Sequence, residues 1–364
     1  MNKKAKQPKI LVFSTQFKSS GGIESHLLEF CRHMSEADVL IDLVVFNTDI
    51  IVEIDNQLKK IVRCAYLGRN QNPFQKALWL FKTGLRLGFQ KYDALYTNGQ
   101  GNSIGWIGRF IRYRHWVHHH HTSGDEGDRQ TWTKAYWETL QRVPKIIACS
   151  QRNAKEIGDV LQRNVETIPC FSTKISPAFK TTKGLHLGYF GRLIPEKGID
   201  VLCRLSADTD CHDIHFHIWG EGNVYPPSFF LNYPRLIYHG PFRGRKELTG
   251  VIHSIDGFLL LSTNAEGLPI CLLEVMSAGL PWLATDKGGI LDIACDPDST
   301  KVISHLSSYE KMKEAVLSFA DDIRSGKTNV EKQLKLYEQK FSAPVLVSEW
   351  KKALRLSAKT STSL

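Results

Sequence analysis

Two glutamates, Glu266 and Glu274, stand eight residues apart in the stretch STNAEGLPICLLEVMSAGLPWLATDKGG (262–289), around a Gly-Leu-Pro turn. An ionised carboxylate is an acceptor only, and hydroxyl groups are natural donors to it. The apolar run GFLLLS (257–262) reads as a strand, and Pro269 suits a first helical turn, so Glu266 falls in a strand-to-helix loop and Glu274 on the helix. At about 1.5 Å of rise per residue, Glu274 lies roughly 7 Å along the helix from its start. One ligand touching both must be elongated, with hydroxyls at two separated points. Between them the backbone N–H groups around Gly267 and Leu268 favour an anion. Hydroxyls, an anion and more hydroxyls describe a nucleotide-sugar. A capping glutamate and a surface glutamate on an amphipathic helix are the plainer alternative for two carboxylates alone.

A second cluster lies in GYFGRLIPEKGID (188–200), where a strand ends at Gly191 and Arg192, Glu196 and Lys197 occupy the loop before a helix. The forked guanidinium of Arg192 and the compact charge of Lys197 suit a diphosphate; a solvated loop with Glu196 paired to Lys197 is the alternative. Two acidic pairs, Asp208-Thr-Asp210 and Asp296-Pro-Asp298, resemble metal-binding carboxylate pairs but sit in polar loops away from those strand ends, so they read as turn residues. GQGNSIG (99–105) is one residue too long for a dinucleotide fingerprint and reads as an acceptor-side loop. In FQKALWLFKTGLRLGFQK (74–91), Phe74, Leu78, Phe81, Leu85 and Phe89 recur at helical spacing among Lys76, Lys82, Arg86 and Lys91, and Arg109, Arg112 and Arg114 follow later. A core helix with a solvated basic face explains this, and so does docking to an anionic membrane surface.

These residues need a scaffold, and the chain repeats one pattern twice. KILVFST (9–15) is an apolar run of the kind buried in parallel sheets. LIDLVVF (40–46), YDALYTN (92–98), RHWVHHHH (114–121), VPKIIACS (143–150) and VETIPC (165–170) read as further strands. After the polar stretch 171–184 the pattern restarts with LHLGYFG (185–191), IHFHIWG (214–220), RLIYHG (235–240), GFLLLS and PWLATD (281–286). Strands alternating with helices imply α/β architecture: two doubly wound Rossmann-like domains facing a cleft, with ligands beyond the carboxyl ends of the strands. The expected domains are 1–175 and 182–344, with 345–364 a candidate to cross back to the first.

At 364 residues the chain exceeds what one core usually organises. Its net charge of +10 lies entirely within residues 1–180, which suggests an anionic partner for that half. Nucleic acid is disfavoured, because no binding module or stacking pattern accompanies the charge. No run approaches a membrane span, and the start lacks the apolar core of a signal peptide, so a cytoplasmic protein is expected. The eight cysteines are scattered without a C-x-x-C, which reads as buried, reduced thiols and argues against zinc.

GRLIPEKG, then EGLPICLLE, then MSAGLPWLATDKGG together resemble the family-4 retaining glycosyltransferases of the GT-B fold, strongly over 185–295 and only thematically before that. The resemblance implies that Arg192 and Lys197 hold the donor diphosphate, Glu266 the hydroxyls of the transferred sugar and Glu274 the ribose. It also matches SSGGIE (19–24) to the family's glycine-rich loop, in which Gly21 and Gly22 let the backbone approach the diphosphate or the acceptor. The family carries a histidine at a strand end facing the sugar. Here that strand ends in four, with His119 and His121 on one face and His118 and His120 on the other, and His121 is the candidate. The family's Asn-Gly after the closing Ile-Pro is absent, since Ile168-Pro169 leads into Cys170-Phe171.

The implied reaction transfers a sugar from a nucleoside diphosphate sugar to a glycan or lipid-linked acceptor. It would use no metal, with Arg192 and Lys197 in place of a cation, and no cofactor. The catalytic candidates are thus Glu266, Arg192, Lys197 and His121, and the donor-binding candidates Gly21, Gly22, Gly191, Gly267, Leu268, Pro269 and Glu274. Surface polysaccharide or glycolipid assembly at the inner membrane face is the implied setting. A nucleotide-sugar epimerase or hydrolase, a dehydrogenase and a non-catalytic membrane adaptor are the rivals.

Overall fold

The computed structural model describes residues 7–18, 21–50, 52–69, 72–177, 183–263, 266–294 and 296–356. Ser19 and Ser20 of the glycine-rich loop, residues 178–182 of the polar stretch, and Cys295 lie outside them. The chain divides into two units, one comprising 1–171 with 343–364 and the other 172–342. The first contains β1 (Lys9–Lys18), α1 (Gly22–Glu36), β2 (Leu40–Asp49), α2 (Val52–Ile61), β3 (Cys64–Arg69), α3 (Pro73–Gly88) and β4 (Lys91–Asn98). It continues with α4 (Ser103–Phe110), β5 (Arg112–His120), α5 (Glu126–Arg129), α6 (Lys134–Arg142), β6 (Lys145–Ala148), α7 (Gln151–Leu161) and β7 (Glu166–Thr167). The second contains β8 (Leu185–Phe190), α8 (Ile199–Ala207), β9 (Ile214–Trp219), β10 (Leu236–Tyr238), α9 (Gly244–His253), β11 (Gly257–Leu260) and α10 (Ile270–Ser277). After β12 (Trp282–Thr285), α11 (Ile290–Ile293), β13 (Thr300–Ile303), α12 (Tyr309–Arg324) and α13 (Val330–Lys340), the last helix α14 (Ala343–Ala353) belongs again to the first unit.

Each unit is built on one parallel sheet, in the order β3-β2-β1-β4-β5-β6-β7 for the first and β10-β9-β8-β11-β12-β13 for the second. The first strand of each sheet sits inside it, so the winding reverses beside β1 and beside β8. A crevice opens at such a reversal, at the carboxyl ends of the strands. The apolar run of β1 explains its central place. Ile10 and Val12 face one core with Phe30 and Leu346, while Leu11 and Phe13 face the other with Ile107 and Leu140. A strand covered on both faces needs no polar alternation.

Helix starts follow local chemistry. Asn72 accepts the Gln75 N–H and stands before Pro73, and Ser150 accepts the Asn153 N–H. Two details differ from the sequence reading. Strand β5 stops at His120, which leaves His121 just beyond it. In α3 the core-facing residues are Trp79, Thr83 and Leu87, whereas Phe74, Phe81 and Phe89 are 79%, 66% and 81% exposed. The apolar stripe is therefore the outer face of the helix, and the core-helix explanation of it fails. Lys76 also turns inward, its ammonium accepted by Asn47 Oδ1 at 2.8 Å and by the Phe46 carbonyl. No helix among the described residues is long and apolar enough to cross a membrane.

Candidate active site

In the second unit, the loops leaving β8 and β11 flank the reversal of the sheet. Gly191 follows β8 with φ +150°, and a Cβ there would lie 2.8 Å from the Tyr189 hydroxyl, so the residue must be small. Tyr189 Oη donates to the Arg192 carbonyl at 2.8 Å, while the guanidinium of Arg192 is exposed. A short 3₁₀ turn, Pro195–Lys197, then leads into Gly198, whose φ is +75°. A Cβ on Gly198 would sit 2.3 Å from the Leu261 carbonyl oxygen, so this glycine lets the β8 loop lie against the end of β11. That contact positions Lys197.

Lys197 Nζ reaches Glu266 Oε1 at 2.5 Å, with both side chains largely buried. Ser262 Oγ lies 2.7 Å from the same carboxylate oxygen and 2.9 Å from the Glu196 carbonyl, and Thr263 N–H donates to that carbonyl at 2.8 Å. Behind the loop, Gly289 N–H donates to the Glu266 carbonyl at 2.9 Å. Gly288, at φ +60°, presses so close that a Cβ would overlap the Glu266 backbone. The Gly-Gly turn after β12 is thus a buttress for Glu266.

Helix α10 starts at Ile270 behind Pro269, which as N-cap makes no side-chain hydrogen bond to it. Gly267 and Leu268 lie just before the helix's positive end, in the loop that carries Glu266. Glu274 is buried on the next turn, and Cys271 lies among these charges. Desolvation pushes the Cys271 thiol up to about 12, with Glu266 and Glu274 adding to the shift and Lys197 opposing it. Lys197, Glu266 and Glu274 therefore form one cluster, and Arg192 borders it through Tyr189. A buried ammonium-carboxylate pair beside a helix N-terminus can open to take a phosphate on the cation and hydroxyls on the carboxylate. The acidic pairs stand apart from this cluster: Asp208 and Asp210 pair with Lys313, and Asp296 and Asp298 with Lys332.

In the first unit the corresponding reversal lies between β1 and β4. Gly21 has φ +149° and is the N-cap of α1, which begins at Gly22. Residues 99–103, after β4, line a cavity of about 730 Å³ together with Thr15, Phe46, Leu80, Trp106 and His121. Gln100 Nε2 donates to Thr122 Oγ1 and to Asp128 Oδ1, both at 2.8 Å. Burial alone would raise the Asp128 pKa, but hydrogen bonds from His120, Thr122 and Gln100 outweigh that and hold it below the usual carboxylate range.

Of the four histidines, His121 reaches the cavity and His119 lies behind it, fully buried. Desolvation keeps His118, His119 and His121 below the ordinary imidazole value and takes His26 to about 3. Two residues not singled out from the sequence join them. Cys149 Sγ is 3.4 Å from His119 Nε2, 3.6 Å from His121 Nδ1 and 3.3 Å from Cys170 Sγ, and Cys170 Sγ is 3.7 Å from His121 Nδ1. The Cys149 thiol lowers its neighbour Cys170 to about 6 against the effect of burial, with help from His121. One signal did mark this place: Cys170 stands where the resembling family has asparagine.

The chain matches two family models, one described as Glycosyltransferase Family 4 over residues 20–171 and one as Glycosyl transferases group 1 over residues 184–322. A curated relative, an uncharacterized glycosyltransferase of Methanocaldococcus jannaschii, is 26% identical over 156 residues. That match covers 42% of this chain and 43% of the relative, less than half of its length. Among solved structures, HepE of Anabaena in complex with UDP-glucose superposes with a TM-score of 0.75 at 18% identity, over 96% of this chain and 100% of that one. Sucrose-phosphate synthase of Thermosynechococcus elongatus gives a TM-score of 0.75 at 13% identity, over 96% and 98%. A glycosyltransferase of Rickettsia africae gives 0.74 at 13%, over 97% and 100%. At these identities the shared property is the fold.

Proposed function

This chain belongs to the family-4 glycosyltransferases of the GT-B fold, and from that premise we propose that it moves a sugar, with retention of anomeric configuration, from a nucleoside diphosphate sugar to a hydroxyl of a glycan or lipid-linked acceptor. The observation that carries the donor half is the meeting of Lys197, Glu266 and the start of α10 where the second sheet reverses. In this reading Lys197 leaves Glu266 for the diphosphate, and the exposed Arg192 folds onto it. The N–H groups of Gly267 and Leu268 take the remaining phosphate oxygens. Glu266 then accepts the hydroxyls of the transferred sugar, and Glu274 those of the ribose. Gly191, Gly21 and Gly22 leave room for the backbone to come close.

The bond from the anomeric carbon to the leaving phosphate breaks while the acceptor oxygen bonds to the same face. The departing phosphate takes the acceptor proton. Arg192 and Lys197 carry the charge that a metal would otherwise carry, each stabilising the transition state by about 3 kcal/mol, or a hundredfold in rate. The acceptor belongs in the cavity of the first unit, where His121 offers Nε2 to a hydroxyl. The exposed Phe74, Leu78, Phe81, Leu85 and Phe89 of α3, with Lys82, Arg86 and Lys91, give that unit an apolar and basic face suited to an anionic membrane carrying the acceptor. The family resemblance supports a setting in surface polysaccharide or glycolipid assembly, at the cytoplasmic face of the membrane.

Replacing both Arg192 and Lys197 by alanine should reduce donor turnover at least a hundredfold while the thermal midpoint of the first unit stays unchanged. A thermal-shift panel of uridine, guanosine, adenosine and thymidine diphosphates identifies the base, and wild-type turnover in the double variant would remove the assignment. Free sugar or an altered nucleotide-sugar formed without acceptor would instead point to a hydrolase or epimerase.

A further inference from the structure

We propose that the first unit is a zinc protein, with the ion held by His119 Nε2, His121 Nδ1, Cys149 Sγ and Cys170 Sγ. These atoms come from the carboxyl end of β5, the residue after β6 and the segment after β7, and all lie within 4.8 Å of one another. Tetrahedral zinc, with bonds of about 2.3 Å to sulfur and about 2.0–2.1 Å to nitrogen, sets its ligands about 3.6 Å apart for sulfur and nitrogen and about 3.8 Å apart for two sulfurs. Three of the four sulfur-nitrogen separations here are 3.4, 3.6 and 3.7 Å, the fourth lies within 4.8 Å, and the sulfurs are 3.3 Å apart. Small side-chain shifts, with the two sulfurs moving about 0.5 Å apart, accommodate all four around an ion.

The chemistry of the donor set agrees with the geometry. Two thiols and two imidazoles with no carboxylate select zinc over magnesium or calcium. In the loaded site two thiolates and two neutral imidazoles cancel the charge of the dication. The loaded site is then electrically neutral, which a buried position demands. His119 and Cys149 are fully buried, Cys170 nearly so, and His121 is partly exposed at the cavity.

The surroundings hold the ligands in place. His119 keeps its other nitrogen, Nδ1, 3.0 Å from the Tyr96 hydroxyl, which is also 3.0 Å from His26 Nε2. His26 Nδ1 in turn accepts the N–H of Phe171 at 2.9 Å, the residue next to the ligand Cys170. Outer partners of this kind fix the ring and tautomer of a ligating histidine. On His121 the outer nitrogen Nε2 is buried without a hydrogen-bond partner. With Nδ1 on the ion, Nε2 carries the proton and can only donate. Four protein ligands close the coordination shell, so the ion is structural, pinning the stretch where the chain leaves the first unit.

The test uses the untagged chain of residues 1–364, gel-filtered into metal-free buffer. Elemental analysis should find about one zinc per chain, and protein produced with cobalt(II) should show thiolate-to-cobalt charge transfer and the intense bands of tetrahedral cobalt. Cys149→Ser with Cys170→Ser should lose both the ion and the bands. His217→Asn should keep them, although His217 sits in a second histidine group with His186 and His239. Stripping the ion should lower the midpoint of the first unit by about 5 °C or more. A chain that purifies without zinc and takes up neither metal, its two thiols reactive or joined as a disulfide, would overturn the proposal. So would zinc retained by the double serine variant or lost from His217→Asn. The cobalt spectrum of the unaltered chain decides the matter even if the serine variant does not fold.

Discussion

At the scale of single residues, Lys197 and Glu266 serve two demands that can be separated. They pair at 2.5 Å while largely buried, so removing one leaves the other charge uncompensated. They are also the proposed contacts to phosphate and sugar. Lys197→Met or Glu266→Gln alone should cost about 1–3 kcal/mol in denaturant unfolding, less than a fully buried pair because each side chain keeps some water. Combined, they should cost clearly less than the sum, since no charge is then orphaned. Turnover should stay at least a hundredfold down in all three. Recovery of activity along with stability in the double variant would reduce the pair to a structural salt bridge. This pair was legible in the sequence because each member follows a strand within a few residues, and strand ends are where a doubly wound sheet presents its ligands. Cys149 and Cys170 were not. Their spacing matches no local metal pattern, and only the sheet order β5-β6-β7 carries them to His119 and His121.

Elements show where a periodic pattern fails. The spacing of Phe74, Leu78, Phe81, Leu85 and Phe89 announces one apolar face, and an apolar face ordinarily packs inward. Helix α3 has a second such face in Trp79, Thr83 and Leu87, and that one meets the sheet. Periodicity identifies the helix but does not choose between two stripes. Strands β3 and β13 escaped for a related reason: β3 is short and half-buried at a sheet edge, so its pattern is too weak to stand out. Because the outer stripe of α3 touches solvent, changing it should leave stability within about 0.5 kcal/mol. Phe81→Ser with Leu85→Ser should therefore keep the thermal midpoint yet weaken binding to vesicles containing phosphatidylglycerol at least tenfold. Lys82→Glu with Arg86→Glu should weaken it further and remove its salt dependence. A drop in midpoint for the serine pair, or vesicle binding equal to wild type, would tell against the membrane face.

At the scale of the molecule, the chain leaves the first unit at Phe171, builds the second, and returns through α14 from Ala343. The return is a matter of core packing. Trp350 is fully buried, edge-on to Phe30 at 5.4 Å, to Tyr96 at 5.2 Å and to His119 at 4.9 Å, with Leu346 and Leu354 beside it. Contacts between the first and last parts of a chain are the slowest to form, because the intervening loop must close before they yield any stabilisation. The second unit has no such requirement, since its residues are contiguous. Trp350→Ala should accordingly destabilise the first unit by about 3–5 kcal/mol, the usual cost of emptying a buried tryptophan site. Unfolding followed by calorimetry should then split, with one transition moving down and the other staying in place. The thermal shift given by nucleoside diphosphate should persist on the unmoved transition, because the charged groups proposed to grip the phosphates, Arg192 and Lys197, and the start of α10 lie within 172–342. If both transitions fell together, or if the nucleotide shift vanished with the tryptophan, the two units would share one cooperative core, and the donor site would depend on the terminus as much as on its own sheet.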